Sequence, residues 1–291
     1  MRPLTFTADI NSAGCTVQHV LTEVFMMSHS HIARLKRREG GILRNGEKCY
    51  VTARLSEGDT LTALISDPPE THRLEGWEHP LPIEFEDEWL CVVNKPAGLT
   101  VHPERAGGGG SVENALSAHF DHDEFVHTVS RLDRGTSGLM TVAKSGHVHE
   151  RMIRLMHTPA FQKEYLAVCE GIFNEKHGFV RLPLAHPAGS NFKMEVSEGG
   201  LSCETEYEVK GEYGSRTLVR LIPHTGRMHQ LRVHMAAIGH PLTGDWLYGT
   251  EIEEISHAAL HSHTLRFVHP MTGERIELAA PLPDEIKALI R

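Results

Sequence analysis

No stretch of this chain comes near the roughly 20 consecutive apolar residues that a membrane-spanning helix needs. The amino end, MRPLTFTADINSAGC, lacks the basic-then-apolar pattern of a secretory signal, so a cytoplasmic protein is expected. Cysteine is sparse: Cys15, Cys49, Cys91, Cys169 and Cys203 stand 34 or more positions apart. That spacing excludes a CxxC metal knuckle and a dense disulfide framework, and predicts buried thiols. The phosphate cradles GxGxxG and GxxxxGK[ST] are absent, which leaves a nucleotide cofactor without a visible site. A GxSxG elbow is absent as well, removing the usual serine hydrolase arrangement. No internal repeat occurs, and the one low-complexity tract is the glycine run Gly107 to Gly110.

What is present is an ordinary globular composition, 40% hydrophobic and 23% charged over 291 residues. That length suffices for a genuine core and suggests a large domain with a small companion. The net charge of -9 speaks against a broad nucleic-acid surface. Its distribution qualifies this, because acids gather in EFEDEW (84–89) and EIEE (251–254) while bases gather near 34–38, 131–154 and 216–232. A local positive cleft on an acidic protein fits that pattern.

The segment from about 14 to 66 has its own logic. Ile32 and Leu35, with Val24 and Met27, predict an apolar helix stripe, and Arg34, Lys36, Arg37 and Arg38 supply charge. Gly40-Gly41 stops the helix. Ile42-Leu43, the Asn45-Gly46 turn and Tyr50 to Ala53 read as a hairpin, followed by the Glu57-Gly58-Asp59 turn and a strand from Thr60 to Ile65. Taken alone, the basic run is as consistent with a solvated helix face as with a grip on phosphates. The segment resembles the S4-like RNA-binding domain, which has a basic helix, a glycine stop, an "NG" hairpin and a late "GD". Residues 1–70 are therefore assigned to that domain and 71–80, rich in proline and charge, to a linker.

From 81 to 291 strands are predicted over Ile83–Glu86, Leu90–Asn94, Gly138–Ala143, Tyr165–Cys169, Cys203–Val209 and Ser215–Ile222, and helices over about 112–119, 147–154 and 228–238. Helices do not follow every strand, so an α+β fold with a mixed, mainly antiparallel sheet is expected rather than a doubly wound one.

The nonamer SRLDRGTSG (130–138) puts Asp133 between Arg131 and Arg134, then follows with small residues. Gly135 and Gly138 allow a sharp bend. Such a segment is either a carboxylate at a pocket floor kept ionised by arginine or an Asp-capped turn closed by a surface ion pair. Four histidines, His224, His229, His234 and His240, raise the question of a metal. On a helix His229 and His234 point about 140° apart, which does not converge on one ion, so no metal is expected; His119 and His122 carry no ligand signal either.

The nonamer resembles the "HRLDxxTSG" signature of the RluA-type pseudouridine synthases. Three more stretches resemble that family in the same order: VVNKPAGLTVHP (92–103), KEYLAVCEG (163–171) and PHTGRMHQLRVHMAAIGHPLTGDWLYG (223–249). The tail HSHTLRFVHPMTGERIELAAPLP fits too, so the resemblance spans about 80–290. It implies an α+β fold with a pseudouridine synthase sheet, an RNA substrate with ribosomal RNA favoured over transfer RNA, and no cofactor; a monomer is the separate expectation for a state that the sequence does not show. It also implies Asp133 as the catalytic carboxylate, Tyr165 as the ring that stacks on the flipped uracil, and Arg227 as a third catalytic residue. In isolation Tyr165 would be an ordinary strand residue and Arg227 a surface or phosphate cation; in this context Arg227 opens a helix near Met228 and pairs with Asp133. Arg131 is implied to fill the room left by the flipped nucleotide, and Lys95 and Arg232 are expected near phosphate. Ser130 departs from the family, which usually has histidine before "RLD". Asp133 could add to uracil, attack C1′, or act as base in a route through a glycal. A noncatalytic RNA-binding or ribosome-assembly factor is the runner-up; joint retention of Asp133, Tyr165 and Arg227 disfavours it.

Overall fold

The computed structural model describes residues 3–65, 74–104, 110–120 and 126–291. Most of the glycine run, His122 and residues 71–73 of the expected linker lie outside the described residues.

The first part is built on a four-stranded antiparallel sheet in which Thr60–Leu64 lies between Pro3–Thr7 and Ile42–Arg44, with Glu47–Lys48 at the far edge. Asn45 and Gly46 take φ of 52° and 82°, the paired positive values that a two-residue hairpin loop needs. Asp59 locks this turn: it pairs with Arg44 at 2.6 Å and accepts from the Asn45 side-chain amide at 2.7 Å and from the Ser56 N–H at 2.6 Å.

The basic helix runs His29–Arg37, with the Ser28 hydroxyl accepting from the His31 N–H. It buries His31, Ile32 and Leu35 and exposes Arg34, Lys36 and Arg37. Gly40 and Gly41 end it as expected; a Cβ on Gly41 would stand 2.2 Å from the Leu35 carbonyl oxygen. Val24 and Met27 do not belong to its stripe. A separate helical segment, Val17–His19 continued by Val20–Val24, precedes it and breaks at Met26, whose φ is 56°.

Nor do Tyr50 to Ala53 form a strand. The first-turn N–H groups of a helix have no partner within it, and the carbonyls of Val51 and Ala53 accept from Gln18 and Val17 instead. That diverts the segment from the sheet and leaves Tyr50 85% exposed.

The rest of the chain forms a ten-stranded sheet. Its path runs His177–Val180, Thr205–Tyr213, Arg216–Pro223, Phe161–Glu170, Leu260–Val268, Ser137–Ala143, Leu90–Lys95, Ile83–Glu86, with Arg275–Ala279 and His127–Thr128 alongside. The one parallel pairing joins Leu260–Val268 to Ser137–Ala143; the others are antiparallel. This is the expected mixed, mainly antiparallel α+β sheet.

Ser137–Ala143 is buried along its whole length, and period-two alternation sends its residues to two cores. Met140 and Val142 join Cys91, Val93, Tyr165 and Ala167 on one face; Leu139 and Ala143 join Leu90 and Val92 on the other. The helix Gln230–Ala237 covers the first face through Leu231 and Met235, and Gly146–Leu155 covers the second through Val148 and Met152.

All five cysteines are free, three of them buried and Cys15 and Cys49 partly so. No helix among the described residues is long and apolar enough to cross a membrane.

Candidate active site

The loop carrying Asp133 joins His127–Thr128 to Ser137–Ala143 at the centre of the sheet. Gly138 has a φ of 107°, and a Cβ there would lie 2.3 Å from the Ser262 carbonyl oxygen. The loop turns because the Thr136 N–H donates to the Asp133 carbonyl at 3.0 Å. Leu132 anchors it in the core.

A second loop, after Leu90–Lys95, is fastened to it by Lys95, whose buried ammonium donates to the carbonyls of Pro96, Leu99 and Arg134 at 3.0, 2.8 and 3.1 Å. Burial pulls the Lys95 pKa down to about 8, against the opposing attraction of Asp133. Lys95 is therefore not a phosphate contact as expected: it is sealed in the protein with its donors spent on backbone.

The expected Arg227–Asp133 pair is not formed either. The helix begins at Gln230, not near Met228, because Gln230 gathers the preceding turn: its side-chain oxygen accepts from the Thr225 hydroxyl at 2.9 Å and the Arg227 N–H at 3.1 Å. Arg227 is thus left outside the helix, exposed on the rim with its guanidinium 3.5 Å from the Ser202 carbonyl.

Arg232, expected at phosphate, takes the role beside the carboxylate. Its Nη1 lies 3.4 Å from Asp133 Oδ2, while Nε and Nη2 clasp Asp245 at 2.7 and 2.6 Å. Asp245 is fully buried and also accepts from the N–H groups of Leu247 and Tyr248. Such a bidentate clasp fixes the guanidinium plane.

His229 stands on the other side of Asp133, with Nε2 3.8 Å from Oδ2. Its φ of 52° puts a non-glycine residue in the left-handed region at the helix start, a strained conformation of the sort found at functional sites. The Tyr248 hydroxyl accepts from the Met194 N–H at 2.8 Å and lies 2.9 Å from His229 Nδ1. Burial lowers the His229 pKa, with Asp133 opposing.

Asp245 and Tyr248 were not singled out from the sequence, and His229 was weighed only as a metal ligand. The available signal was that Arg232 lies in a carboxylate-free stretch whose first following acid is Asp245.

Tyr165, on Phe161–Glu170, is buried in the same core face and lines the cleft that Asp133 enters. Burial pushes its phenol up to about 12, with the Asp133 charge adding to the effect, so it stays protonated near neutrality. The cleft encloses about 810 Å³, and Arg131, Lys163, Arg227 and Arg232 line it together with Asp133 and Tyr165.

Arg131 is exposed at the mouth. Ser130, in the position that departs from the family pattern, is buried in the wall. Arg34, Lys36, Arg37 and Arg38 lie on or just after the helix His29–Arg37, away from this cleft. Arg34 is 3.9 Å from Glu150 of the helix Gly146–Leu155, and the Ser28 hydroxyl donates to the same carboxylate at 2.6 Å. The histidines of the fourth motif go to separate partners: His224 to Glu206, His229 to Tyr248, His234 to Thr205 and Leu182, His240 to Glu170.

A half-exposed carboxylate held by one cation, beside a protonated aromatic ring in a pocket of nucleotide size, suits displacement or proton transfer at a base–sugar bond. Residues 90–237 match the family model described as RNA pseudouridylate synthase. An uncharacterized RNA pseudouridine synthase of Bacillus subtilis, YjbO, is 37% identical over 256 residues, covering 87% of this chain and 90% of that protein. Ribosomal large subunit pseudouridine synthase D of Haemophilus influenzae is 37% identical over 250 residues, covering 80% and 76%. Among solved structures, human RNA Pseudouridylate Synthase Domain Containing 1 superposes with a TM-score of 0.59 at 26% identity, over 71% of this chain and 85% of its own.

Proposed function

This chain belongs to the RNA pseudouridylate synthase family, and on that premise we propose that it converts uridine to pseudouridine in large-subunit ribosomal RNA, with Asp133 as the carboxylate at the reacting bond. The observation that carries the assignment is the convergence of Asp133, Tyr165 and the Arg232–Asp245 clasp in one cleft. The name of the Haemophilus relative, a ribosomal large subunit pseudouridine synthase, supports the choice of RNA.

The reaction breaks the bond from ribose C1′ to uracil N1, forms one from C1′ to C5, moves a proton off C5 and leaves one on N1. Substrate and product are isomers, so the balance calls for no external redox partner. The target base leaves its stack at a price of a few kcal/mol, least where it is already unpaired. Tyr165 offers the flat wall on which the extruded base rests. Asp133, 31% exposed and 3.4 Å from Arg232, can reach either the ribose or the ring. Adding to uracil, attacking C1′ and taking a sugar proton for a glycal all use that one carboxylate. Once the RNA has displaced water from the cleft, its fixed dipoles and charges stabilise whichever charge develops.

In the same reading residues 1–70 form the S4-like module whose Arg34, Lys36, Arg37 and Arg38 meet phosphate, 71–80 link it, and 81–291 carry catalysis. Arg131 and Arg227, on the cleft mouth and rim, approach the RNA around the flipped nucleotide. The protein works in the cytoplasm, as a monomer without metal or cofactor.

The test is incubation of the purified protein with unmodified ribosomal and transfer RNA, mapping pseudouridine by carbodiimide labelling and primer extension, with Asp133→Asn in parallel. A discrete stop on ribosomal RNA given only by the wild type is expected. Turnover by a folded Asp133→Asn protein refutes the role of the carboxylate, and a wild type inactive on ribosomal RNA refutes the substrate.

A further inference from the structure

Three buried cations around the catalytic sheet are compensated. Lys95 is met by three carbonyls. Lys144 is met by Glu86 at 2.7 Å and by the face of Phe120. Arg232 is met by Asp245. Lys163 lines the cleft half-buried, and among the described residues its ammonium meets no carboxylate, carbonyl or hydroxyl; its contact is the Phe161 ring, 6.0 Å from the centroid. Burial alone pulls its pKa down to about 8.

Its neighbour Glu164 does not help, because alternation turns it to the opposite face, where it pairs with Arg266 at 2.6 Å and Arg220 at 3.8 Å. Arg131 in the same cleft is exposed, and solvent stabilises its charge there. For Lys163 solvation is curtailed and nothing replaces it, an arrangement that is unfavourable unless an anion arrives.

Lys163 and Tyr165 are two residues apart on one strand and both line the cleft, so their Cα atoms stand roughly 7 Å apart on the same face. We propose that Lys163 is the phosphate contact of the cleft, its ammonium taking a phosphodiester of the RNA next to the nucleotide that rests on Tyr165. This rests on the RNA-modifying reading above and adds a binding group to it. The uncompensated charge of the free protein is neutralised when the polyanion enters, so part of the binding energy is set aside for substrate in place of folding stability.

The experiment compares full-length wild type, Lys163→Gln and Lys163→Arg, with unmodified in vitro transcribed large-subunit ribosomal RNA as the probe. Affinity is measured across a salt series, together with KM, kcat and the thermal midpoint of each free protein. For Lys163→Gln, binding about tenfold weaker and a slope of log K against log salt smaller by about 0.7–0.9 are expected. KM should rise by a larger factor than kcat falls. Lys163→Arg should restore slope and turnover, since it keeps the charge. The free Lys163→Gln protein should melt at or above the wild-type temperature.

An unchanged salt slope, or a lowered midpoint that marks a structural role, overturns the proposal. So does a Lys163→Arg protein that binds like wild type but turns over no better than Lys163→Gln, because that assigns the amine to proton transfer. If the wild type binds this RNA but forms no pseudouridine on it, the functional reading fails, while the salt slope still decides the phosphate contact.

Discussion

Replacing Arg232 with methionine should separate what the Arg232–Asp245 clasp does for folding from what it does for the reaction. Arg232 is 9% exposed and Asp245 is 0% exposed, and two of the guanidinium's nitrogens are committed to the pair. Methionine conserves much of the volume but leaves Asp245 a buried charge without its cation. Removing one partner of a buried pair typically costs about 3–5 kcal/mol. Because the Leu247 and Tyr248 N–H groups still reach Asp245 Oδ1, the lower end, about 3 kcal/mol, is expected. For a folding unit of this size that lowers the thermal midpoint by about 6–12 °C.

Adding Asp245→Leu removes the stranded charge and should return most of the lost stability, as apolar replacement of buried ion pairs often does. Turnover should not return with it. In the double variant Asp133 still lacks the Nη1 that stood 3.4 Å from Oδ2, and a misplaced reacting group costs about a hundredfold in rate. Thermal and urea unfolding report the first quantity, and pseudouridine mapping under single-turnover conditions the second. A double variant that regains turnover along with its stability would show that Arg232 acts only as packing, and a single variant destabilised by less than about 1 kcal/mol would refute the buried-pair account.

Two further outcomes concern the basic helix and the helix Gly146–Leu155 beside it. His147, on Gly146–Leu155, is buried with its ring 5.5 Å from that of His31, and burial first, then the charges of His31, Arg151 and Arg154, pull its pKa down to about 3. Below the unfolded value near 6.5 the unfolded chain gains a proton that the folded chain refuses, so stability present above that pH falls steadily toward pH 3. The slope is about 1.4 kcal/mol per pH unit for each such group; His261, pulled down to about 4, adds to it. Urea titrations at mildly acidic pH, above the carboxylate range, should show a shallower slope in His147→Leu by about that amount, and an unchanged slope would mean that His147 titrates normally. Lys36 and Arg37 are exposed on the helix face, and their joint replacement by glutamine should weaken RNA binding and reduce the salt slope by about 1.4–1.8 if both meet phosphate; a slope equal to that of wild type would remove them from the interface.

The elements legible from the sequence are those whose chemistry is local. Ser111 caps Val112–His119 with a reciprocal bond to Asn114, and Asn45-Gly46 turns a hairpin. The elements that were not legible take their partners from far along the chain. Tyr50 to Ala53 gave up strand pairing because a helix thirty-odd residues earlier needed its carbonyls, and Pro3–Thr7 is a strand because Thr60–Leu64 accepts it along its full length. Asp133 and Tyr165 were visible as motif residues, and the sheet order brings them together: Leu260–Val268 lies between their strands and pairs with both.

The mistaken partner of Asp133 has a physical lesson in it. Arg227 and Arg232 are both within reach of the loop in sequence terms, but only Arg232 lies inside a helix whose residues 230–235 are all buried. An arginine in that position requires a carboxylate of its own, and Asp245 supplies it through two of the guanidinium's nitrogens. The charge of Arg232 is thereby compensated without calling on Asp133, which can remain 31% exposed and bound by the single longer contact to Nη1. Had Arg227 been the partner, an exposed rim cation would have had to be both oriented and neutralised by Asp133 itself. With the buried clasp in place, Asp133 is oriented by a fixed charge and still open to a substrate, the combination that a nucleophile or base in a preorganised site needs.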